Sequence, residues 1–330
     1  MKMKDGSFHV NSLLDPPFQK KAGKAVKKTA ASVFRIIILL SIGYVIIYPL
    51  LYMAVTSLKS DAAYYNTARI WFPSSLDPKF SYSLASKAIN YWTSLKSTLI
   101  YEMVSAFLEV CSCAVVAYGF ARFKFKSKGF WMACLFITIL IPETMVIIPR
   151  MVNYAKVDFL GLLGILKHLT GIDLRINLIG TAAAFYIPSI FAIGLRSGIL
   201  TYIYIQFFKS LPYELEEAAW VDGAGPVKTF FSIALPSSTV VFTTVIVFSV
   251  VWHWNDSFLS SMYLLRDFPL AVSLDRIMTT LSAFGYYGSR PITMSVLMAA
   301  CIMFIAPILL MYMILQRRFI ESIDRVGITG

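Results

Sequence analysis

The sequence predicts an all-α, polytopic membrane protein with six transmembrane helices. Three observations carry this expectation. Hydrophobic residues make up 58% of the 330 residues and charged residues only 15%, against about 45–50% and about 25% in an ordinary soluble domain. Six segments approach the roughly 20 apolar residues that cross a bilayer. Lysine and arginine concentrate in the connections that fall on one side of such a six-span arrangement, as they do in cytoplasmic loops.

Mean hydropathy is +0.68. So few charges cannot cover a water-facing surface of this size. The composition excludes a disordered chain and a nucleic-acid-binding domain, and it argues strongly against an ordinary cytosolic enzyme. The net charge of +12 is therefore read as membrane topology. Cys111, Cys113, Cys134 and Cys301 all lie in apolar runs. They are expected to be small buried hydrophobes, not disulfides or zinc ligands.

Residues 1–31 form a basic tail with Pro16-Pro17, polar up to Thr29 and expected to be flexible or to lie on anionic headgroups. The transmembrane domain is expected over residues 32–316. Its spans run roughly Ile36–Leu58, Thr98–Phe120, Gly129–Ile148, Leu178–Leu200, Thr239–Trp254 and Met294–Leu315. The first is too long for a cleavable signal peptide. Residues 317–330 form a short tail. Eight basic residues precede span one, four (Arg122, Lys124, Lys126, Lys128) join spans two and three, and three (Arg317, Arg318, Arg325) follow span six. Half of the 30 basic residues thus share one side, which predicts that both termini are cytoplasmic. The opposite connections, about 40, 30 and 40 residues long, have too little apolar content for a separate domain.

Spans four and five are separated by a segment over about 201–237 that holds the densest motif in the chain. Pro212 suits the first turn of a helix, and Glu214, Glu216 and Glu217 suit its positive end. Gly223 stands where a helix ends on a left-handed residue. Pro226 then starts a second short helix, and Pro236 closes it. Ala218 and Ala219 carry so little bulk that another surface can approach closely. On these grounds alone the segment is either a knob for a partner's cleft or a solvated loop helix.

Glu217-Ala218-Ala219, three residues, Gly223, nine residues and Ile233-x-Leu235-Pro236 resembles the loop signature of ABC importer permeases. From about residue 32 onward the chain is similar to the MalG-like permeases of carbohydrate importers. Pro49 and Ser57-Leu58-Lys59 resemble that family's first helix, and Tyr118-Gly119-Phe120-Ala121-Arg122 the end of its second. Asp222-Gly223-Ala224 resembles its loop, Trp254-Asn255-Asp256 its fifth span, and Gln316-Arg317-Arg318-Phe319 the exit of its sixth. Glu321-Ser322, where the family has a glycine, the long basic N-terminal tail and the glutamates of span two depart from the pattern.

The resemblance implies a transport subunit, not an enzyme. The helix of Glu217, Ala218, Ala219, Asp222 and Gly223, continued by Ile233, Leu235 and Pro236, would be a coupling helix docking on a cytoplasmic ATPase. Two such ATPases, a second permease, a solute-binding protein outside, membrane lipid and a carbohydrate, in particular an oligosaccharide, are the implied partners. Nucleic acid is not. The segment from about Ser257 to Pro291, with Phe284-Gly285-Tyr286-Tyr287-Gly288, is the candidate contact for the binding protein. The chain implies no cofactor of its own; ATP and Mg would sit on the ATPase. Val227-Lys228-Thr229 fails as a phosphate loop, because the required glycines are replaced by Asp222 and Val227. The implied place is the bacterial cytoplasmic membrane, and the implied mechanism is alternating access.

Ionisable residues inside spans are functional candidates by default. Glu102 and Glu109 lie seven apart on one helix face, either lining a polar path for sugar hydroxyls or pairing with polar groups of a partner permease. Glu143 follows Pro142, a helix breaker, and either lines a cavity or pairs with Arg150. Arg196 is expected to snorkel to the interface. Tyr186 and Phe191 either line the path or pack. Trp254, Asn255 and Asp256 belong to an outer gate, or to an aromatic belt with polar caps. An ion-coupled secondary transporter using Glu102 and Glu109 is the rival reading. It would usually show internal repeats, and none is visible. An importer permease for a non-sugar solute is another.

Overall fold

The structure, a computed structural model, describes residues 16–64, 70–158, 161–286 and 290–327. Among these residues there is no strand, only two isolated bridges, Lys59 to Leu76 and Val157 to Ile176. Residues 1–15, 287–289 and 328–330 lie outside the description, so parts of both tails, and Tyr287 and Gly288 of the proposed binding-protein contact, are not placed.

The helices follow the apolar runs. α1 (Pro16–Leu58) starts with its two prolines in the first turn, where their missing N–H groups cost nothing. The tail is therefore helical from Pro16 onward. Along Lys28–Leu58, none of the most apolar stretch is buried within the chain, and isoleucines and leucines are exposed all around it. A helix apolar on every side needs a nonaqueous surround. α2 (Pro78–Ala88) follows a connection that holds the single helical turn Asp61–Tyr64. α3 (Tyr91–Arg122) is 32 residues long, about 48 Å at the helical rise against about 30 Å of hydrocarbon. Its stretch Thr98–Met103 is π-helical.

The third expected span is not one helix. α4 (Lys128–Leu140) and α5 (Glu143–Ala155) meet at 105°. Pro142 forces the residue before it out of the helical region; Ile141 is extended at φ −79°, ψ 119°. α6 (Leu162–Thr170) lies in the connection that follows.

The fourth expected span, Leu178–Leu200, is also broken. α7 (Ala183–Ile190) and α8 (Ser197–Ser210) are separated by residues 191–196. Ala192 and Arg196 take left-handed φ values of 55° and 58°, and Pro188 denies the preceding turn one hydrogen bond. Arg196 does not sit in a regular helix end as expected. Its guanidinium lies 5.0 Å above the Trp252 ring.

α9 (Glu214–Val221) and α10 (Pro226–Ser237) form the two short helices expected between spans four and five. α11 (Thr239–Trp254) leaves α10 at 80°. α12 (Phe258–Tyr263), α13 (Leu270–Asp275) and α14 (Ile277–Ala283) precede α15 (Arg290–Gly327). α15 continues through residue 316 to Gly327 without a break. Among the described residues, three helices are long and apolar enough to cross a membrane, or up to five if each bent pair is one span.

One core joins α3 and α8 through Val110, Ala114, Tyr118, Leu200, Tyr204 and Phe208, closed by Phe230 and Val245. A second packs α2, α13 and α14 on α15. A third gathers Ile147, Phe185, Leu259 and Tyr263. Cys113 is fully buried as expected, but Cys111 is exposed, and Cys134 and Cys301 are intermediate. All four are free thiols.

Candidate functional site: a docking helix and a buried polar cluster

The loop helix forms for the reasons the motif carries. Glu214, Glu216 and Glu217 occupy the first turn of α9. Its end is a Schellman turn. Gly223, at φ +79°, donates to the Trp220 carbonyl at 3.0 Å, and Ala224 N–H to the Ala219 carbonyl at 2.9 Å. Pro226 then opens α10. α10 widens to π-helix over Phe230–Ala234, where Leu235 N–H reaches the Phe230 carbonyl. It runs past Pro236 to Ser237, one residue beyond the expected close.

Among the expected docking residues, Glu217, Ala218, Asp222, Gly223 and Pro236 are exposed, and Ile233 and Leu235 are half-buried. Ala219 is a correction. It is buried against the chain's own body, so one alanine, not two, faces outward. Residues 218 and 219 are about 100° apart around a helix, so both cannot share the outer face fully.

The residue that attaches α9 was not singled out from the sequence. Glu216 is 1% exposed, and its Oε1 accepts from Arg122 Nε at 2.8 Å. Arg122 Nη2 also donates to the Leu211 carbonyl at 2.9 Å, and the guanidinium lies 5.3 Å above the Tyr213 ring. Spacing alone does not reveal a partner 94 positions away.

The second constellation lies between α3, α5, the α7–α8 break and α11. Glu102 accepts a short hydrogen bond from the Ser260 hydroxyl, which also lies 3.2 Å from Asp256 Oδ2. A serine has one proton to donate, so the two carboxylates compete for it. Asp256 also accepts from the N–H groups of Leu259 and Ser260 at the start of α12. It caps the next helix, whereas Asn255 caps α11 through the Val251 carbonyl at 2.7 Å.

Glu109 is fully buried, with His253 Nε2 3.4 Å from its Oε2. His253 Nδ1 lies 2.9 Å from the Ser249 carbonyl, an acceptor only, so Nδ1 carries a proton. Gly194 permits the closest approach. A Cβ there would stand 2.9 Å from Glu109 Oε1 and 3.1 Å from Ser189 Oγ. Both partners of Glu109 that the sequence left open, the path and a second chain, therefore gain a third alternative inside this chain.

Glu143 and Arg150 pair at 2.9 Å. They border a cavity of about 370 Å³ with Trp131, Phe191, Arg196 and Thr138. Glu143 thus meets both of its expectations, pairing and lining. Phe191 lines the same cavity and is exposed. Glu102 and Asp256 line a smaller crevice next to it, with Arg150, His253 and Gly194. Tyr186 lines neither; its hydroxyl donates to the Ile100 carbonyl at 2.7 Å. Trp254 is another correction. It is buried in the second core, and its indole N–H donates to the Phe304 carbonyl at 3.2 Å. It lines neither of these two cavities.

An exposed motif helix on a body of apolar, bent helices with a polar interior defines a class of membrane transport component. Residues 113–325 match the family model described as "Binding-protein-dependent transport system inner membrane component", and the chain belongs to that family. It is similar to the "Arabinooligosaccharides transport system permease protein AraQ" of Halalkalibacterium halodurans, 24% identical, covering 88% of this chain and 93% of that protein. It is likewise similar to the "Melibiose/raffinose/stachyose import permease protein MelC" of Bacillus subtilis, 27% identical, covering 86% and 91%. A chain from a crystal structure of a bacterial ABC transporter involved in the import of the acidic polysaccharide alginate shares the fold. Its TM-score is 0.69 at 19% identity, covering 89% of this chain and 98% of that one.

Proposed function

We propose that this chain is one of two transmembrane subunits of a bacterial ABC importer that moves a carbohydrate, in particular an oligosaccharide, inward by alternating access. The observation that carries the reading is α9, with Glu217, Ala218, Asp222 and Gly223 presented outward on a helix pinned to the transmembrane body. That is what a knob for a separate ATPase requires. Two ATPases supply the work with ATP and Mg, a related permease completes the path, and a binding protein delivers the solute. Both termini and α9 lie on the cytoplasmic side. The six crossings include the broken segment 178–200 as the fourth.

The substrate path follows the cavity beside Glu143. Its volume falls within the range of small-molecule sites. Phe191 and Trp131 offer aromatic faces to sugar rings, while Glu143 and Arg150 offer hydrogen bonds to hydroxyls. Glu102, Glu109 and Asp256 support that path from behind. Tyr186, Trp254 and Asn255 act by packing and capping. The carbohydrate assignment is supported by the sugars named for AraQ and MelC.

The test is a mild-detergent purification of the chain from its native membranes, with every partner identified, beside Glu217→Lys and Gly223→Pro variants. Recovery of an ATPase and a second permease is expected, with the ATPase lost in both variants. An ATPase indifferent to both substitutions overturns the docking role. Transport that persists without ATP hydrolysis overturns the importer reading.

A further inference from the structure

We infer that the Arg122–Glu216 pair is a strut that makes α9 and α3 move as one body, with Arg122 as a positioning residue for coupling. This rests on the reading that α9 docks on an ATPase. α9 is eight residues long, and only Glu216 and Ala219 of it are buried. An alanine methyl offers little apolar area, so the helix is held chiefly by its carboxylate.

The partner of that carboxylate is the last residue of α3. Arg122 reaches three residues at once. Its Nε meets Glu216 in α9 at 2.8 Å, its Nη2 meets the carbonyl of Leu211 at the end of α8 at 2.9 Å, and its face covers Tyr213. The Tyr213 ring in turn meets Trp220 of α9 edge-on at 5.6 Å. The Arg122 and Glu216 side chains are 7% and 1% exposed, so water does not loosen the pair. Charge-assisted bonds are short and directional, and the planar guanidinium holds Glu216 Oε1 through Nε and the Leu211 carbonyl through Nη2 in one fixed relation, while Glu216 Oε2 has no hydrogen-bond partner among the described residues. Behind the strut, Tyr118 meets Phe208 edge-on and Phe230 at a tilt, tying it to the α3–α8 core.

The other exit from α9 is built differently. The chain passes through Gly223 to Gly225, a π-helical stretch and an 80° bend before α11. Displacement of α9 therefore reaches α3 and α8 rigidly and α11 through a compliant joint. Glu217, next in sequence to the strut, stays exposed for the partner.

The test places spin labels on Glu214→Cys in α9 and Val115→Cys in α3, both exposed, in the full complex with its native cysteines replaced. The distance distribution is read without nucleotide and after trapping with ATP and vanadate. It should be the same in both states. Arg122→Met strands a buried charge, so R122M/E216M, which removes both charges, is the deciding variant. In it, trapping should shift or broaden the distribution while the ATPase still copurifies. Arg122→Lys, which keeps the charge and loses the fork, should fall between. A distance that shifts on trapping in the parent complex, or one that stays fixed in R122M/E216M, overturns the strut. Retention of the ATPase by Glu217→Lys instead overturns the docking reading, a separate outcome.

Discussion

At one end of α3 a single carboxylate meets a single guanidinium, and both are sealed from water. Midway along the same helix, Glu102, Glu109, Asp256 and Glu143 share Arg150, His253 and one serine hydroxyl. The first joins one carboxylate oxygen to a guanidinium that also holds the Leu211 carbonyl, and leaves Glu216 Oε2 without a hydrogen-bond partner among the described residues. The second has more acceptors than donors, and neither oxygen of Glu109 finds a hydrogen-bond partner among the described residues. The more completely a buried polar network is satisfied, the more it rigidifies its region. The contrast separates a region suited to passing on a movement from one suited to accommodating it.

Removing one partner of the sealed pair is the strongest way to break this contrast. Arg122→Met should cost about 3–5 kcal/mol, since it leaves Glu216 buried and unpaired, whereas R122M/E216M should cost far less. Thermal unfolding of the purified chain in detergent checks both, and equal losses would count against the pairing. Gly194→Ala tests the looser region. The new methyl would press on Glu109 and Ser189 side chains, both able to give slightly, so a loss of about 1–3 kcal/mol is expected by the same measurement.

Gly223→Ala probes the turn alone, because nothing lies within 4 Å of the added Cβ. The left-handed backbone should account for the whole loss, about 1–2 kcal/mol, without disturbing either polar region. The smallest effect belongs to the loop between α6 and α7. There Arg175 and Lys167 hold the Asp173 carboxyl well below the usual carboxylate range. A depressed carboxylate contributes above its ordinary pKa and loses that contribution only as pH falls through the lowered one. This pair is exposed and screened, so Asp173→Asn should leave unfolding at pH 7 unchanged, and acidification to pH 5 should not alter the loop's proteolysis.

Much of the fold was legible because its causes are local. The apolar runs of spans one, two and six appear as helices, and Pro226 starts a helix while Pro142 breaks one; the helix start at Pro16 was not expected. The Schellman turn at Gly223 was also readable. The break over residues 191–196 was not. Its apolar composition satisfies a span, while the left-handed backbone at Ala192 and Arg196 and the close fit of Gly194 against Glu109 arise only in the folded chain. Trp254 sits beside polar Asn255 and Asp256, which read as an interface, yet a facing helix 50 residues on encloses it.

The amino-acid sequence by itself determined the class of protein, the exposed motif helix and the places where helices start or fail, since capping, proline and apolar run length act within a few residues. Only the tertiary structure decided which glutamate of three turns inward, which alanine of two remains outside, and which groups meet the buried carboxylates. Those outcomes depend on polar groups brought together from positions 94 and 144 residues apart. Their energies exist only once water has been excluded between them.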